Sequence, residues 1–189
     1  NQPVVITVSR DISERKASER EFKERGVLMR AVFDLANAGI DLVDAGTLRY
    51  IDVNTASCQM LGYTREEMIG MPLIATQADG RTEAELAAAT DGLRVAGQTS
   101  FEHRQRRKNG EVFDILLNLR LVRMDGRELI VGVWNDITER KRTEAQLQKL
   151  AQAIEQSPEG IMITDLEARI EFVNQAFVDT TGFSREEVL

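Results

Sequence analysis

An internal repeat is the feature of this sequence that most limits how the chain can fold. The six residues from Asp11 to Lys16 return at 136–141, 125 positions later, with one Ser/Thr exchange. Three further landmarks follow both copies in the same order, 120 or 121 residues apart: Gly39-Ile40 and Gly160-Ile161, Val53-Asn54 and Val173-Asn174, and the segments 62–68 and 182–188. A repeat of this length predicts that one folding module occurs more than once in the chain.

The spacing of the repeat also predicts where the modules begin and end. Residues 39–138 contain every landmark and are expected to form a complete domain. Residues 1–16 are predicted to be the last strand and linker start of a preceding module, and residues 158–189 the opening part of a following one. Residues 17–38 and 139–157 are predicted linker helices. We expect the segment 158–189 not to bury a full core alone, because it is short and lacks the main strands.

Composition excludes several classes of protein. Of the 189 residues, 42% are hydrophobic and 29% charged, which is typical of a folded globular chain. The one cysteine, Cys58, excludes an internal disulfide, and the one histidine, His103, excludes chemistry that needs two. A net charge of −7 argues against general nucleic-acid binding. No apolar stretch is long enough for a membrane helix and no signal-peptide pattern opens the chain, so we expect a cytoplasmic protein.

Residues 39–138 have the pattern of a mixed α and β domain. Short apolar runs at 39–44 and 48–53 predict a hairpin-like pair of strands. Helices are predicted at 54–61, 65–70 and 82–95, with Asn54 and Thr64 as N-caps and Gly97 after the last helix. Strands are predicted at 99–107, 111–123 and 128–135, joined by turns that contain Asn109-Gly110 and Asp125-Gly126.

These motifs together resemble the PAS family of sensor domains, the ligand-sensing modules of bacterial signalling proteins. The motifs are, in chain order, Gly39-Ile40 through Val43-Asp44, Tyr50-Ile51-Asp52-Val53-Asn54, Leu61-Gly62-Tyr63-Thr64-Arg65-Glu66-Glu67, Arg107-Lys108-Asn109-Gly110, and the run from Gly132 to Lys141. The resemblance implies an α+β fold: a five-stranded antiparallel sheet with helices on one face, enclosing a pocket and flanked by coiled-coil linker helices. It does not identify a ligand, because one fold serves many ligands.

The alternation of side chains along each strand predicts which residues face the pocket. Charged residues at positions 102, 104 and 106 belong on the solvated face, so Phe101, His103 and Gln105 are expected to point inward. The basic run at 104–108 is interpreted mainly as a solvated strand face. The predicted pocket residues are Phe101, His103, Gln105, Ile115, Leu117 and Trp134. For Trp134 two interpretations stay open: an aromatic wall against a flat cofactor, or an indole that fills the core.

The sequence does not identify a cofactor. Light-sensing relatives use polar flavin contacts that fall here at Gln105, Ile115 and Trp134, so two of three positions depart from that pattern. The Asn-Cys-Arg motif of the flavin adduct is also missing, and adduct photochemistry is rejected. His103 is predicted on a strand, whereas the best-known haem-binding relatives use a helix for the axial ligand. If a cofactor is present, non-covalently bound flavin (FAD) is favoured over haem. No metal cluster and no catalytic residues are predicted.

The last strand is expected to pass a signal to the linker that follows it. Asp136 is predicted to cap the linker helix, with Glu139 in a capping-box position, and Thr138 completes the junction. Asp11 and Ser13 are the equivalent relay positions in the earlier copy. Leu147, Leu150 and Ile154 follow at helical spacing and are predicted to form a dimer seam. Asp136 as a plain helix cap without a relay role stays open as an alternative.

These observations predict a non-enzymatic sensory module of a larger signalling protein. It is expected to detect a small ligand, cofactor or redox state in its pocket and to act as a homodimer. By family analogy the output domain is a histidine kinase of a two-component system or a cyclic-dinucleotide enzyme such as a diguanylate cyclase. The alternative hypothesis is a ligand-free PAS module that serves dimerisation and relay only.

Overall fold

A computed structural model of the chain describes residues 13–189, with side chains from residue 20 onward. The chain forms two compact units, one reaching Asp136 and the other running from Ile137 to Leu189. The strand predicted within residues 1–16 and the relay residue Asp11 lie outside the described residues. Ser13 is the first residue of helix α1, and its side chain is not described.

The first unit is built on a five-stranded sheet, as predicted. Its strands are β1 (Gly39–Asp44), β2 (Arg49–Val53), β3 (Gln98–Arg106), β4 (Val112–Met124) and β5 (Arg127–Asp136). The order across the sheet is β2-β1-β5-β4-β3, and every neighbouring pair is antiparallel. The central position of β5 brings the last strand of the domain into contact with both β1 and β4, so a change on either neighbour reaches the strand that leaves the unit.

Helices precede and interrupt the sheet in the order expected. They are α1 (Ser13–Leu35), α2 (Thr55–Leu61), α3 (Arg65–Met68), a 3-10 helix (Leu73–Thr76) and α4 (Glu83–Ala96). The predicted N-caps Asn54 and Thr64 are confirmed, since the side chain of each accepts a hydrogen bond from the first turn of its helix. The 3-10 helix was not predicted.

The two predicted turns differ in length. Asp125 and Gly126 both have positive φ and join β4 to β5 as a two-residue hairpin, which is the geometry this dipeptide favours. The connection around Asn109-Gly110 is longer than the predicted tight turn, because β3 ends at Arg106 and β4 begins at Val112.

The core lies on one face of the sheet and follows the predicted alternation. Phe113 and Ile115 on β4 and Trp134 on β5 are buried, together with Tyr50 and Leu61 from the preceding elements. Their neighbours along the strands are exposed or half-buried. Burial of such side chains is the main force that holds the helices against this face.

The second unit contains helix α5 (Thr138–Glu155), strands β6 (Met162–Thr164) and β7 (Ile170–Val173), and helices α6 (Gln175–Thr181) and α7 (Arg185–Val188). β6 and β7 form an antiparallel pair. No helix among the described residues has both the length and the apolar character needed to cross a membrane.

The N-cap predicted at Asp136 is wrong. The residue at the N-cap of α5 is Ile137, and Asp136 is the last residue of β5. The hydrogen-bonded strand extends one residue further than the sequence pattern indicated, because Asp136 still lies opposite Ile115 in the β4–β5 register.

Candidate functional site

A cavity of about 340 Å³ lies between α4 and the inner face of the sheet. Small residues leave this space open: Gly132 on β5 carries no side chain, and Ala89 and Ala96 on α4 carry only a methyl group. Its apolar lining residues are Val43, Leu73, Leu86, Ala89, Gly92, Leu93, Ala96, Phe101, Leu117, Leu119, Ile130 and Gly132. A few polar side chains among these apolar walls are typical of a small-molecule site.

His103 on β3 lies in the polar part of the lining. Its Nε2 is 2.5 Å from Oε1 of Gln77, an acceptor, so Nε2 carries the proton in this contact. Nδ1 is 3.7 Å from the carboxylate of Asp79, which also pairs with Arg81 at 2.7 Å. Burial lowers the pKa of His103, and the imidazole is therefore neutral at neutral pH.

Gln105 lies two residues further along β3 and is almost fully buried, with 2% of its surface exposed. Its Oε1 is buried and has no hydrogen-bond partner in the described protein. An unpaired buried acceptor costs free energy that a ligand donor recovers. Gln105 therefore marks a point in the lining where the protein provides an acceptor without a donor.

Asp41 on β1 is a second buried acceptor in the lining. It accepts hydrogen bonds from Ser57 Oγ at 2.5 Å and from the indole Nε1 of Trp134 at 2.7 Å. Burial raises the pKa of Asp41 to about 6, and the two hydrogen bonds oppose part of that rise. Asp41 connects the cavity to β5 through Trp134.

Two of the six predicted pocket residues do not line the cavity. Phe101, His103, Gln105 and Leu117 do, whereas Ile115 and Trp134 are fully buried in the core beside it. The indole lies over Gly39, where an added Cβ would overlap its ring, and packs against Phe113 with ring centroids 6.0 Å apart. Of the two interpretations of Trp134, the one in which the indole fills the core therefore agrees with its position. The alternation of side chains along β5 had predicted the correct face of the sheet.

The lining does not fit flavin in the manner of the light-sensing relatives. Of the three positions implied by that resemblance, only Gln105 borders the cavity, while Ile115 and Trp134 are enclosed in the core. Cys58 lies on α2, and burial raises the pKa of its thiol, which disfavours a reactive thiolate. Haem ligation through Nε2 of His103 would require this atom to lose its contact with Gln77. Among the described residues no cluster of three or more potential metal ligands occurs.

Arg107 holds the end of β5 in place. The sequence pattern had indicated that this residue belongs to a solvated basic run, 104–108. Its guanidinium donates to Asp136 at 2.7 Å and to the carbonyl of Met60, and it lies 3.9 Å from the centroid of Phe113. The side chains of Arg107 and Asp136 are 20% and 27% exposed. Arg107 shares the parity of His103 and Gln105, a signal that could have identified it as inward-facing.

The predicted seam residues lie on α5. Leu147 and Leu150 are 62% and 59% exposed, and Ile154 is half-buried. The adjacent junction residue Thr138 is the first residue of this helix. Exposed leucines at helical spacing provide an apolar stripe on the second unit.

Asn54 makes contacts that the sequence analysis missed. Its Nδ2 donates to the carbonyls of Phe33 and Ala38 at 3.0 and 2.9 Å, and its Oδ1 accepts from the amides of Ile40 and Ser57 at 2.9 Å each. One buried side chain thus joins the end of α1, the start of β1 and the first turn of α2.

Asn174 repeats this arrangement in the second unit. Its Nδ2 donates to the carbonyls of Ile154 and Glu159, and its Oδ1 accepts from the amides of Ile161 and Phe177. The presence of both asparagines among the repeat landmarks was the signal for a shared structural role.

Two family models described as "PAS domain" match the chain, one over residues 39–139 and the other over residues 148–189. A solved PAS domain of an HTR-like protein from Haloarcula marismortui has a TM-score of 0.59 and is 22% identical. That similarity covers 65% of this chain and 99% of the solved one. At this level of sequence identity, the structural similarity shows that the two proteins share a fold and shows nothing about their functions.

Three curated relatives are signalling proteins. The methyl sulfide methyltransferase-associated sensor of Methanosarcina acetivorans is 26% identical over 88% of this chain and 16% of its own length. Sporulation kinase E of Bacillus subtilis is 25% identical over 90% of this chain and 23% of its own. The probable diguanylate cyclase DgcE of Escherichia coli is 30% identical over 74% and 13%. The chain thus spans less than a quarter of each relative.

Proposed function

Because this chain belongs to the PAS domain family, we propose that its first unit senses a small ligand in the cavity between α4 and the sheet. Ligand binding changes the contacts of β5, and the signal leaves the unit where this strand ends at Asp136. The segment itself performs no catalytic step; the chemistry of the response belongs to an output domain of the same polypeptide.

The observation that carries this proposal is the cavity with buried polar groups in its lining. Asp41 and Gln105 are 5% and 2% exposed and both border the cavity. A core that serves only to stabilise the fold is usually filled, and its buried polar groups are paired. The unpaired Oε1 of Gln105 therefore favours a site that a ligand completes.

A direct chain of contacts supports the signal route. Asp41 accepts a hydrogen bond from Trp134, which lies on β5 two residues before Asp136. Arg107 holds the end of the same strand through Asp136. A ligand that competes for Asp41 alters a bond to β5, and we assign the relay role to this strand and to its junction with Thr138.

The relatives support the choice of output. A sensor, a kinase and a diguanylate cyclase contain segments similar to this chain, so we propose a histidine kinase or a cyclic-dinucleotide enzyme as the output domain. We further propose a cytoplasmic homodimer that pairs through Leu147, Leu150 and Ile154. The exposure of the two leucines supports that seam.

A ligand-free relay module remains the rival function, and one feature favours it: Trp134 and Ile115 fill part of the core completely. The two functions differ in what the cavity does. A ligand sensor loses its response when the cavity is filled, whereas a relay module responds as before.

The test fills the cavity in the full-length protein. Leu117→Trp places an indole in the lining, and Val122→Trp places the same group on the same strand at a position outside it. Native mass spectrometry and the absorption spectrum of the purified protein report bound molecules, and output activity reports the response. We expect Leu117→Trp, but not Val122→Trp, to abolish bound ligand and signal dependence.

Circular dichroism of both variants checks that each is folded. An unchanged response in a folded Leu117→Trp protein would contradict ligand sensing and support the relay function.

A further inference from the structure

We propose that the cavity takes a small organic cation, whose ammonium group pairs with Asp41 and whose apolar body carries a hydrogen-bond donor for Gln105. This inference rests on the proposed ligand-sensing function and names the chemical class of the ligand. It follows from the mismatch between acceptors and donors in the lining.

Asp41 is a buried carboxylate with no cationic partner. Burial is the largest influence on its pKa, and its two hydrogen bonds come from the neutral groups of Ser57 and Trp134. Among the described residues no lysine, arginine or histidine forms an ion pair with it. A buried carboxylate left without a cation is costly, and an ionised carboxylate can accept more hydrogen bonds than the two seen here. A ligand ammonium supplies both the charge and the donors.

Gln105 adds a second acceptor that is independent of the first. Its Oε1 is buried and unpaired, and the residue belongs to β3, whereas Asp41 belongs to β1. Two acceptors from different strands border one cavity. A ligand that satisfies both brings two donors separated by an apolar body.

Three other polar side chains of the lining already have partners within the protein. His103 contacts Gln77, and Thr90 donates to the carbonyl of Leu86 within its own helix. Arg81 borders the cavity as a cation, but it pairs with Asp79 at 2.7 Å and its side chain is 39% exposed. Since the buried part of the lining is rich in acceptors, a cationic ligand matches it better than an anionic one.

The cavity volume and walls limit the size and nature of the ligand body. About 340 Å³ bounded by leucine, isoleucine, valine and phenylalanine side chains suits a flat or compact hydrocarbon group of one or two rings. Tryptamine has the required features, with a protonated amine, a bicyclic body and a ring N–H donor. It serves here as a probe of the class.

The experiment compares tryptamine with two analogues that keep the indole. Tryptophol replaces the amine by a neutral hydroxyl, and indole-3-acetate replaces it by an anion. Isothermal titration calorimetry at neutral to slightly alkaline pH is expected to give tryptamine an affinity at least about tenfold above that of tryptophol. Indole-3-acetate is expected to bind most weakly.

Variants of Asp41 and Gln105 test whether these two residues cause the preference for tryptamine. Asp41→Asn keeps the size of the side chain and is expected to bring tryptamine and tryptophol within about twofold of each other. Asp114→Asn removes the same charge from β4, outside the lining, and should leave the preference intact. Gln105→Leu should abolish the advantage of tryptamine over its benzothiophene analogue, in which sulfur replaces the ring N–H.

Each opposite result overturns the inference. Equal binding of tryptophol, stronger binding of indole-3-acetate, no binding of tryptamine, or an unchanged preference in Asp41→Asn would each do so. Stronger binding of the anion would point to Arg81 instead. The comparison of ligands on the unaltered protein stands even if a variant fails to fold. Failure here is distinct from failure of the sensing function, which the Leu117→Trp response decides separately.

Discussion

Residues 39–70 and 160–189 carry the same motifs, and the two copies show which features depend on local sequence alone. Both asparagines, Asn54 and Asn174, cap a short helix and are fully buried. Gly62 and Gly182 end these helices with positive φ. These features form within a few residues of chain, so each copy builds them without the rest of a domain.

The two copies differ in how deeply their equivalent side chains are buried. Leu61 and Met68 are fully buried in the first, whereas their counterparts Thr181 and Val188 are not. The first copy packs beneath three further strands, and residues 158–189 contain the counterparts of β1, β2, α2 and α3 only. Core formation in this fold therefore depends on the distant strands β3 to β5, while the caps do not.

The hydrogen-bonded pair of Asp41 and Ser57 is also specific to the first copy. At the positions equivalent to Asp41 and Ser57 the second copy has Met162 and Phe177. A polar pair has been replaced by two apolar side chains in otherwise similar motifs. The fold does not require a carboxylate at this site, which supports a functional reason for Asp41.

The largest expected effect concerns α5, the helix that leads into the second copy. Replacing Leu147, Leu150 and Ile154 together by serine should weaken dimerisation at least about a hundredfold, because burial of each such side chain is worth about 1.5–3 kcal/mol. Analytical ultracentrifugation of the full-length protein measures the dissociation constant.

The control for this prediction lies on the opposite side of the same helix, where Ala145, Lys149 and Gln152 are changed to serine. Equal dissociation constants for the seam variant and the parent would show that α5 does not provide the seam. The apolar residues Met29 and Val32 on α1, both more than half exposed, would then be the next candidates.

The second-largest expected effect is on the free energy of unfolding, which should respond differently to loss of the buried asparagine in the two copies. Asn54→Ala removes two donated and two accepted hydrogen bonds inside the first unit and is expected to lower its free energy of unfolding by about 4 kcal/mol. Trp134 is the sole tryptophan and lies in this unit, so urea denaturation followed by its fluorescence reports this unit alone.

Asn174→Ala is the matched control, because it makes the same change in the second copy. It should shift the fluorescence transition by less than about 0.5 kcal/mol. A large shift with Asn174→Ala would mean that the second copy contributes to the stability of the first.

The pH dependence that Asp41 causes should be specific to the first copy, because the second copy has Met162 at the equivalent position. The folded pKa of Asp41, about 6, lies above its ordinary value of 3.8, so the folded state binds this proton more tightly than the unfolded state. The free energy of unfolding should therefore fall on the order of 3 kcal/mol as pH rises from 4 to above 6. Other titrations are superimposed, and the measured quantity is the difference from Asp41→Asn.

The titratable groups near Asp41 do not obscure this interval. Burial, and after it the charge of Asp41, raises the pKa of Tyr50 and of Cys58, so both groups titrate well above Asp41. His103 faces the same cavity, and burial lowers its pKa, so His103→Gln serves as a second background. An identical pH slope with and without Asp41 would show that this carboxylate is not the titrating group.

Crowding at the repeated glycine gives a smaller difference. A Cβ at Gly39 would overlap the rigid indole of Trp134, so Gly39→Ala is expected to destabilise the first unit by about 2 kcal/mol. The equivalent atom at Gly160 would lie 3.2 Å from the Cα of Phe177, which is tight rather than overlapping. Thermal unfolding monitored by tryptophan fluorescence should respond to Gly39→Ala and not to Gly160→Ala. A normal melting temperature for Gly39→Ala would show that the indole can move.

The sequence predicted the features that depend on the period of hydrophobic residues and on local helix caps. It did not predict those that depend on contacts between residues distant in the chain. The order of helices and strands along the chain, the buried face and the caps at Asn54 and Thr64 follow from alternation and spacing, whereas the five-stranded antiparallel sheet was implied by the family resemblance. The displacement of Trp134 out of the lining depends on the absent side chain of Gly39, on a different strand. No pattern within β5 contains that information.

Residues with mixed character were missed for a related reason. Asp41 lies in the mainly apolar run 39–44, and its carboxylate indicates a site only when Ser57 and Trp134 are seen to contact it. Arg107 continues the inward parity of β3, yet its charge favoured a solvated interpretation. The cost of burying its charge is offset by Asp136 and the ring of Phe113, which come from other strands.

The smallest expected change in stability concerns the strand end, where the two repeat hexamers can be compared. Asp136→Asn weakens a partly exposed ion pair with Arg107 and should cost about 1 kcal/mol or less. A relay role predicts a larger change in output than this loss explains, because the ion pair holds the last residue of β5 in place and contributes little to the stability of the core.

Asp11→Asn makes the matched change in the earlier hexamer. The measurement is signal-dependent output of the full-length protein against its melting temperature, with Arg107→Gln as the reciprocal variant. If Asp136→Asn and Arg107→Gln both leave the response intact, the ion pair only secures the strand end, and the signal must leave β5 by its backbone contacts with β1 and β4.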